Sequence, residues 1–204
     1  MAMKCFIIMR DRLTWARNLA RQCAERGLDV ILVDNDSTYP PLLEWYKEQE
    51  YQIVYTQRNR DTWVEWYNIL LHNVPDRYFI ITDPDLDISG VPDDFLEVMQ
   101  KGLAENDVLK CGLSLDISDL PESEYTKKVI EHEAGFWKKK NGVYYIADVS
   151  TTFALYDRTG NPEFLSAVRC PYPYTARHLS WYLTELNEEE EYYQQHTLHK
   201  GWKP

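Results

Sequence analysis

At 204 residues the chain is long enough to bury a core without disulfide or metal staples, and short enough for one α/β domain. Lys and Arg number 22 against 33 Asp and Glu, a formal charge of −11, which excludes the broad basic footprint of a nucleic-acid binder and requires that any phosphate be met locally. The four cysteines, Cys5, Cys23, Cys111 and Cys170, lack C-x-x-C spacing, so neither a zinc site nor a disulfide framework is expected.

In chain order, Lys4–Met9 reads as a strand and about Leu13–Arg26 as a helix, with Ala16, Leu19/Ala20 and Cys23/Ala24 at helical spacing and Gly27 as its stop. Residues 1–9 gain charge too early for a signal peptide. Val30–Val33 is a short buried strand ending in Asp34-Asn35-Asp36-Ser37, Pro41 opens a helix over Leu42–Gln49, and Gln52–Tyr55 is a third strand. Thr62-x-x-Glu65 makes a capping box for a helix with Trp63, Trp66/Tyr67 and Leu70/Leu71 on one face. After the strand Tyr78–Thr82, Pro92-Asp93-Asp94 starts a helix to about Leu103, and Val108–Leu113 is a further strand. This βαβα succession predicts a mostly parallel, mixed sheet with helices on both faces.

The second half is less regular. Glu124–Trp137 has helical periodicity, and Val143–Ala147 and Thr151–Tyr156 are strands around Asp148. The chain turns proline- and aromatic-rich from Pro171, and the acidic run Glu188–Glu191 is expected on a solvated face or loop. No linker or repeat divides the chain, so one domain is expected. No apolar run has the length of a membrane span, which predicts a soluble, cytoplasmic protein.

The most informative segment is Tyr78-Phe79-Ile80-Ile81-Thr82 running into Asp83-Pro84-Asp85-Leu86-Asp87. A buried strand ends there in three carboxylates spaced two apart, at the place where open α/β sheets bind ligands. Crowded acidic oxygens repel unless a hard cation sits among them, so Mn²⁺ or Mg²⁺ holding phosphate is the functional reading. Plain Asx turn chemistry is the alternative.

That D-x-D, Arg10-Asp11-Arg12-Leu13 after the first strand and Val33-Asp34-Asn35-Asp36-Ser37-Thr38 after the second form an ordered set. With Thr151–Tyr156 and Ala176-Arg177-His178-Leu179-Ser180-Trp181-Tyr182, the chain resembles the GT-A glycosyltransferases, and more closely the family 2-like enzymes of bacteria and some viruses. The resemblance implies transfer of a hexosyl or deoxyhexosyl group from a nucleotide-diphosphate sugar, a UDP sugar foremost, to a glycan or glycoconjugate acceptor. Residues 1–103 would form the nucleotide-sugar half and 104–204 the acceptor half. It assigns Asp83 to ribose or sugar hydroxyls and the metal's outer shell, Asp85 to the metal directly and His178 to the metal or diphosphate. Arg177 is an alternative phosphate contact, and Asp87 a helix- or turn-capping acid, or a metal contact through water.

Arg10, Asp11, Asp34 and Asn35 would meet the base and ribose, and Arg60 the phosphate. Ser150 stands where relatives carry a carboxylate, which leaves Asp148 as the leading base, with Asp116 and Glu133 behind it; a retaining enzyme would need none. Tyr174 and Trp181 could stack on a sugar or simply pack. Two other readings stay open: a sugar nucleotidyltransferase, disfavoured by the glycine-free first loop, and a catalytically silent nucleotide- or carbohydrate-binding module.

Overall fold

The structure is a computed structural model, and it describes residues 2–56, 58–59, 70, 74–149, 152–160 and 166–197. A nine-stranded mixed sheet organises the chain in the order β3-β2-β1-β4-β10-β6-β11-β9-β8. Its parallel part comprises β1 (Lys4–Met9), β2 (Asp29–Asp34), β3 (Gln52–Tyr55) and β4 (Tyr78–Thr82). β10 (Ala154–Asp157) then runs antiparallel between β4 and β6 (Lys110–Gly112). β11 (Ala167–Arg169) is parallel to β6, and the hairpin of β8 (Lys140–Asn141) and β9 (Tyr144–Ile146) closes that edge.

β1, β2 and β4 are buried on both sides, while β3 is an exposed edge strand, and the alternation of the three buried strands divides the core. Cys5, Ile7, Val30, Leu32 and Ile80 belong to one apolar cluster, and Phe6, Ile31, Val33, Phe79 and Ile81 to the other. Helix α1 (Leu13–Glu25) lays Ala16, Leu19, Ala20 and Cys23 on the first cluster and ends at Gly27, whose φ of 74° suits a residue without Cβ. Helices α2 (Pro40–Glu48) and α3 (Phe95–Asn106) join the same face through Leu42 and Tyr46, and through Phe95, Met99 and Leu103. On the other face Val149 crosses β6 so closely that a Cβ at Gly112 would overlap its Cγ1.

A second, three-stranded sheet sits beyond the strand ends. In it β12 (Thr175–His178) lies between β5 (Leu86–Asp87) and β7 (Ser114–Leu115). The sequence reading has no counterpart for this sheet; its strands are of two to four residues, too short to show a period. Helix α4 (Glu124–Glu133) opens on a Ser123–Thr126 capping box and continues as a 3-10 turn over Ala134–Trp137. The acidic run departs from its expected solvated face. It forms helix α5 (Glu188–His196), with Asn187 capping the amide of Glu190, and Glu189 and Glu190 are buried. The predicted helix beginning at Thr62 lies outside the described residues.

Candidate functional site

The crevice beyond β1, β2 and β4 is built on two buried carboxylates that hold its loops. Asp11, fully buried and at φ 51°, accepts through Oδ1 from the amides of Thr38 (2.6 Å) and Tyr39 (2.9 Å). Asp tolerates that left-handed conformation better than most residues, and its charge lies against the start of α2. The Asp11 amide in turn donates to Ser37 Oγ. Asp34 accepts from the Tyr46 hydroxyl at 2.7 Å and from the Ser37 amide at 3.2 Å. Burial and the Asp34 charge drive the Tyr46 phenol far up, so it stays a proton donor. Asp11 and Asp34 thus lie beneath the crevice and fix the shape of its floor.

On that floor, Asp85 is 4% exposed. Its Oδ2 lies 3.1 Å from Arg12 Nη1 and 3.6 Å from His178 Nδ1. Burial works to raise the Asp85 carboxyl, and His178 and Arg12 outweigh it, holding it below the usual carboxylate range. β12 makes this meeting possible, because it pairs His178 with Leu86 and the Leu179 amide donates to the Asp85 carbonyl. The His178 ring stacks on Trp181 at 4.6 Å, and its Nδ1 lies 2.7 Å from Ser180 Oγ. Tyr125, in the first turn of α4, is pushed up to about 12 by burial and by the Asp85 charge.

Helix α5 covers the other side of Arg12. Glu190 Oε2 accepts from Arg12 Nη2 at 3.0 Å, and the guanidinium lies 3.8 Å above the Tyr193 ring and 4.7 Å from Trp15. Burial opposes the Arg12 charge, but Asp85, Tyr193 and Glu190 overcome it and raise its pKa. Burial pushes the Glu190 carboxyl up in spite of Arg12. Both Glu189 oxygens accept from the Thr14 amide in the first turn of α1. Tyr192 packs on Tyr39 at 5.0 Å and donates to Thr38, while Arg10 Nη2 donates to the His196 carbonyl at 3.0 Å. Arg12, Glu189 and Glu190 were missed as site residues from sequence. The available signal was Asn187-x-x-Glu190, an N-cap spacing that makes the acidic run a helix with an inner face.

The remaining expected residues are dispersed. Asp83 is half-buried at the end of β4, its carbonyl accepting from Thr82 Oγ1, and Asp87 accepts from the Ser89 amide as a turn cap. Asn35 donates to Asn59 Oδ1 at the crevice rim. Arg60 lies outside the described residues. Arg177 points away from His178, as alternate strand residues do, and pairs with Asp119. Tyr174 donates to Asp94, and both Tyr174 and Trp181 pack against the first apolar cluster.

Asp148 is held by Lys110 at 3.1 Å and Glu133 by Arg169 at 2.7 Å. Lys110 lies level with Tyr156 and Phe79. It is two strands across from β4 and roughly 10 Å back along the strands from Thr82 at about 3.3 Å per residue. Asp148 thus enters the scaffold as the partner of Lys110. Asp116 is better placed: it follows β7, its amide donates to Ala176 two residues before His178, and it lines a cavity of about 340 Å³ with Trp137, Tyr172 and Thr175.

The arrangement fits a divalent cation poorly. Among the described residues no three His, Cys, Asp or Glu side chains cluster as a ligand set. Asp85 Oδ2 already faces the Arg12 guanidinium at 3.1 Å, so a divalent cation bound there would be set against a neighbouring positive charge.

No protein-family model matches the chain, and no curated protein does. Solved structures do. S. aureus TarS 1–349 matches with a TM-score of 0.53 at 11% identity, over 88% of this chain and 61% of that one. Its complex with UDP gives 0.54 at 11% identity, over 87% and 60%. GalNAc-T7 with UDP, GalNAc and Mn²⁺ gives 0.55 at 12% identity, over 87% and 44%. The chain spans less than two thirds of the length of each. No helix among the described residues is long and apolar enough to cross a membrane. TarS and GalNAc-T7 are GT-A glycosyltransferases, and by these matches the chain has a GT-A-like fold.

Proposed function

We propose that the protein is a glycosyltransferase that moves a hexosyl or deoxyhexosyl group from a nucleotide-diphosphate sugar, a UDP sugar foremost, to a glycan or glycoconjugate acceptor. One observation carries this reading: the acidic end of β4 meets the β1–α1 loop and β12 at a single buried point, Asp85–Arg12–His178, in the crevice where such a sheet takes its ligand. The UDP complexes of the two matching proteins support the choice of donor.

In this reading Asp83, Asn35 and Arg10 contact the donor, while Asp11 and Asp34 act by holding the loops. Mn²⁺ or Mg²⁺ at Asp83, Asp85 and His178 is the expectation from sequence, and GalNAc-T7 was solved with Mn²⁺; given the poor fit here, no step is routed through a metal. The acceptor occupies the cavity by Trp137 and Tyr172, whose rings suit a sugar face. Asp116 takes the acceptor proton, in the role the sequence gives first to Asp148.

The test is turnover of a UDP-, GDP-, CDP- and dTDP-sugar panel against glycan acceptors, with binding of the free nucleotides measured alongside. Asp116→Asn is expected to lower kcat by at least 100-fold and Asp148→Asn by less than threefold. The Lys110–Asp148 pair favours a second reading, a silent binding module, because it engages the leading carboxylate in an ion pair. Nucleotide binding with no turnover across the panel would establish the module instead.

A further inference from the structure

Two buried ends of basic side chains and one buried carboxylate oxygen in this crevice have no hydrogen-bond partner among the described residues. They are Arg10 Nη1, Arg12 Nε and Glu190 Oε1, and all three lie where the β1–α1 loop meets α5. Buried polar atoms are nearly always paired, so three orphans in one place mark a site whose present occupant does not match it. Helix α1 repeats the pattern. It has no capping side chain of its own and no acid in its first turn, and the anion at its start is Glu189, brought from α5.

Consecutive carboxylates of α5 therefore occupy two adjoining anion positions, Glu189 on the Thr14 amide and hydroxyl and Glu190 on the Arg12 fork. A diphosphate likewise presents two linked negative groups to its site. An arginine fork and a helix N-terminus are the two protein groups best suited to hold one. Arg12 is already aimed by Asp85, so it brings to this point the positive charge that a departing diphosphate requires.

We propose that Arg12, Arg10 and the Thr14 amide and hydroxyl form a diphosphate site that works without a metal, and that α5 closes it by seating Glu189 and Glu190 in the ligand's place. The proposal rests on the donor reading above for the identity of the ligand, though not for the existence of the anion site. Asp85 is then a positioning residue for Arg12. Donor binding displaces α5, with Tyr192 leaving Tyr39 and Thr38 as the two carboxylates withdraw.

Calorimetric titration of the full chain with inorganic pyrophosphate and with UDP, in EDTA and again in Mn²⁺, tests both parts. Both ligands are expected to bind in EDTA. The near-isosteric double variant Glu189→Gln/Glu190→Gln should bind each at least tenfold more tightly, because its α5 no longer competes as an anion. Arg12→Ala should abolish binding, and Arg12→Lys, kept for the case where the alanine variant does not fold, should weaken it by at least tenfold.

Affinity unchanged in the double glutamine variant overturns the closure by α5. UDP binding that appears only with Mn²⁺ and ignores Arg12→Lys overturns the diphosphate site while leaving the donor reading intact. Pyrophosphate binding that depends on Arg12, with no nucleotide bound under either condition, upholds the anion site and removes the donor reading.

Discussion

The two halves of the sheet both bury charge, and they do so in opposite ways. In the antiparallel half Arg169 donates to Glu133 and to the Asp148 carbonyl, and Lys110 pairs with Asp148, so each cation is met within the scaffold. At the ends of β1, β2 and β4 the pairs Arg12–Asp85 and Arg12–Glu190 are as buried, yet Arg10, Arg12 and Glu190 each leave an atom unmet. Burial of ionic groups does not by itself locate function, since structural networks do the same. Single unmet atoms also occur elsewhere, at Arg26 Nε and Trp137 Nε1, so the sharper sign is that three of them gather around one pair of arginines.

The largest expected effect breaks that comparison if it fails. Arg169→Ala strands a nearly dry Glu133, and removing one partner of such a pair costs about 3–5 kcal/mol. Urea denaturation should show that loss, while the surviving folded fraction binds nucleotide as the parent does. A change in nucleotide affinity would mean that the antiparallel half is no mere scaffold.

A smaller effect concerns Lys110. Burial lowers its pKa from 10.5 to about 8 despite Asp148. Below pH 8 the ammonium is charged in both folded and unfolded chains. As pH rises through 8 the folded chain releases that proton while the unfolded chain keeps it until about 10.5, so stability increases with pH across the window. Between pH 7.5 and 9.5 the parent should gain about 2 kcal/mol relative to Lys110→Met, read from urea midpoints at the two pH values. No difference would place Lys110 in solvent contact and remove the scaffold pair.

The same division governs what was legible in the sequence. β1 to β4, α1 and the acidic strand end follow from continuous apolar runs, helical spacing and Gly27, all of them local signals. Asp83, Asp85 and His178 could be named, but not the fact that Asp85 is already balanced. Its partners lie 73 residues before it, at Arg12, and 93 after it, at His178, and nothing local in either segment announces the meeting. The three-stranded sheet was hidden because strands of two to four residues have no period to detect. Glu188–Glu191 misled for a different reason. A run of like charge ordinarily seeks water, and here two of the four side chains turn inward because a helix N-terminus and an arginine wait beneath them.

Asn187 offers the smallest and most discriminating effect. Its side chain accepts from the Glu190 amide, and losing such a cap costs about 1 kcal/mol of helix stability. If α5 were only a structural brace, Asn187→Ala would lower the melting midpoint slightly and leave ligand affinity alone. If α5 stands in the ligand's place, weakening the closed state by about 1 kcal/mol enlarges the open fraction roughly fivefold, and apparent affinity rises by the same factor. One substitution would then destabilise the protein and tighten its binding. Asn187 touches neither Arg12 nor the Thr14 amide among its described contacts, so that opposition could arise only from competition between helix and ligand for one site.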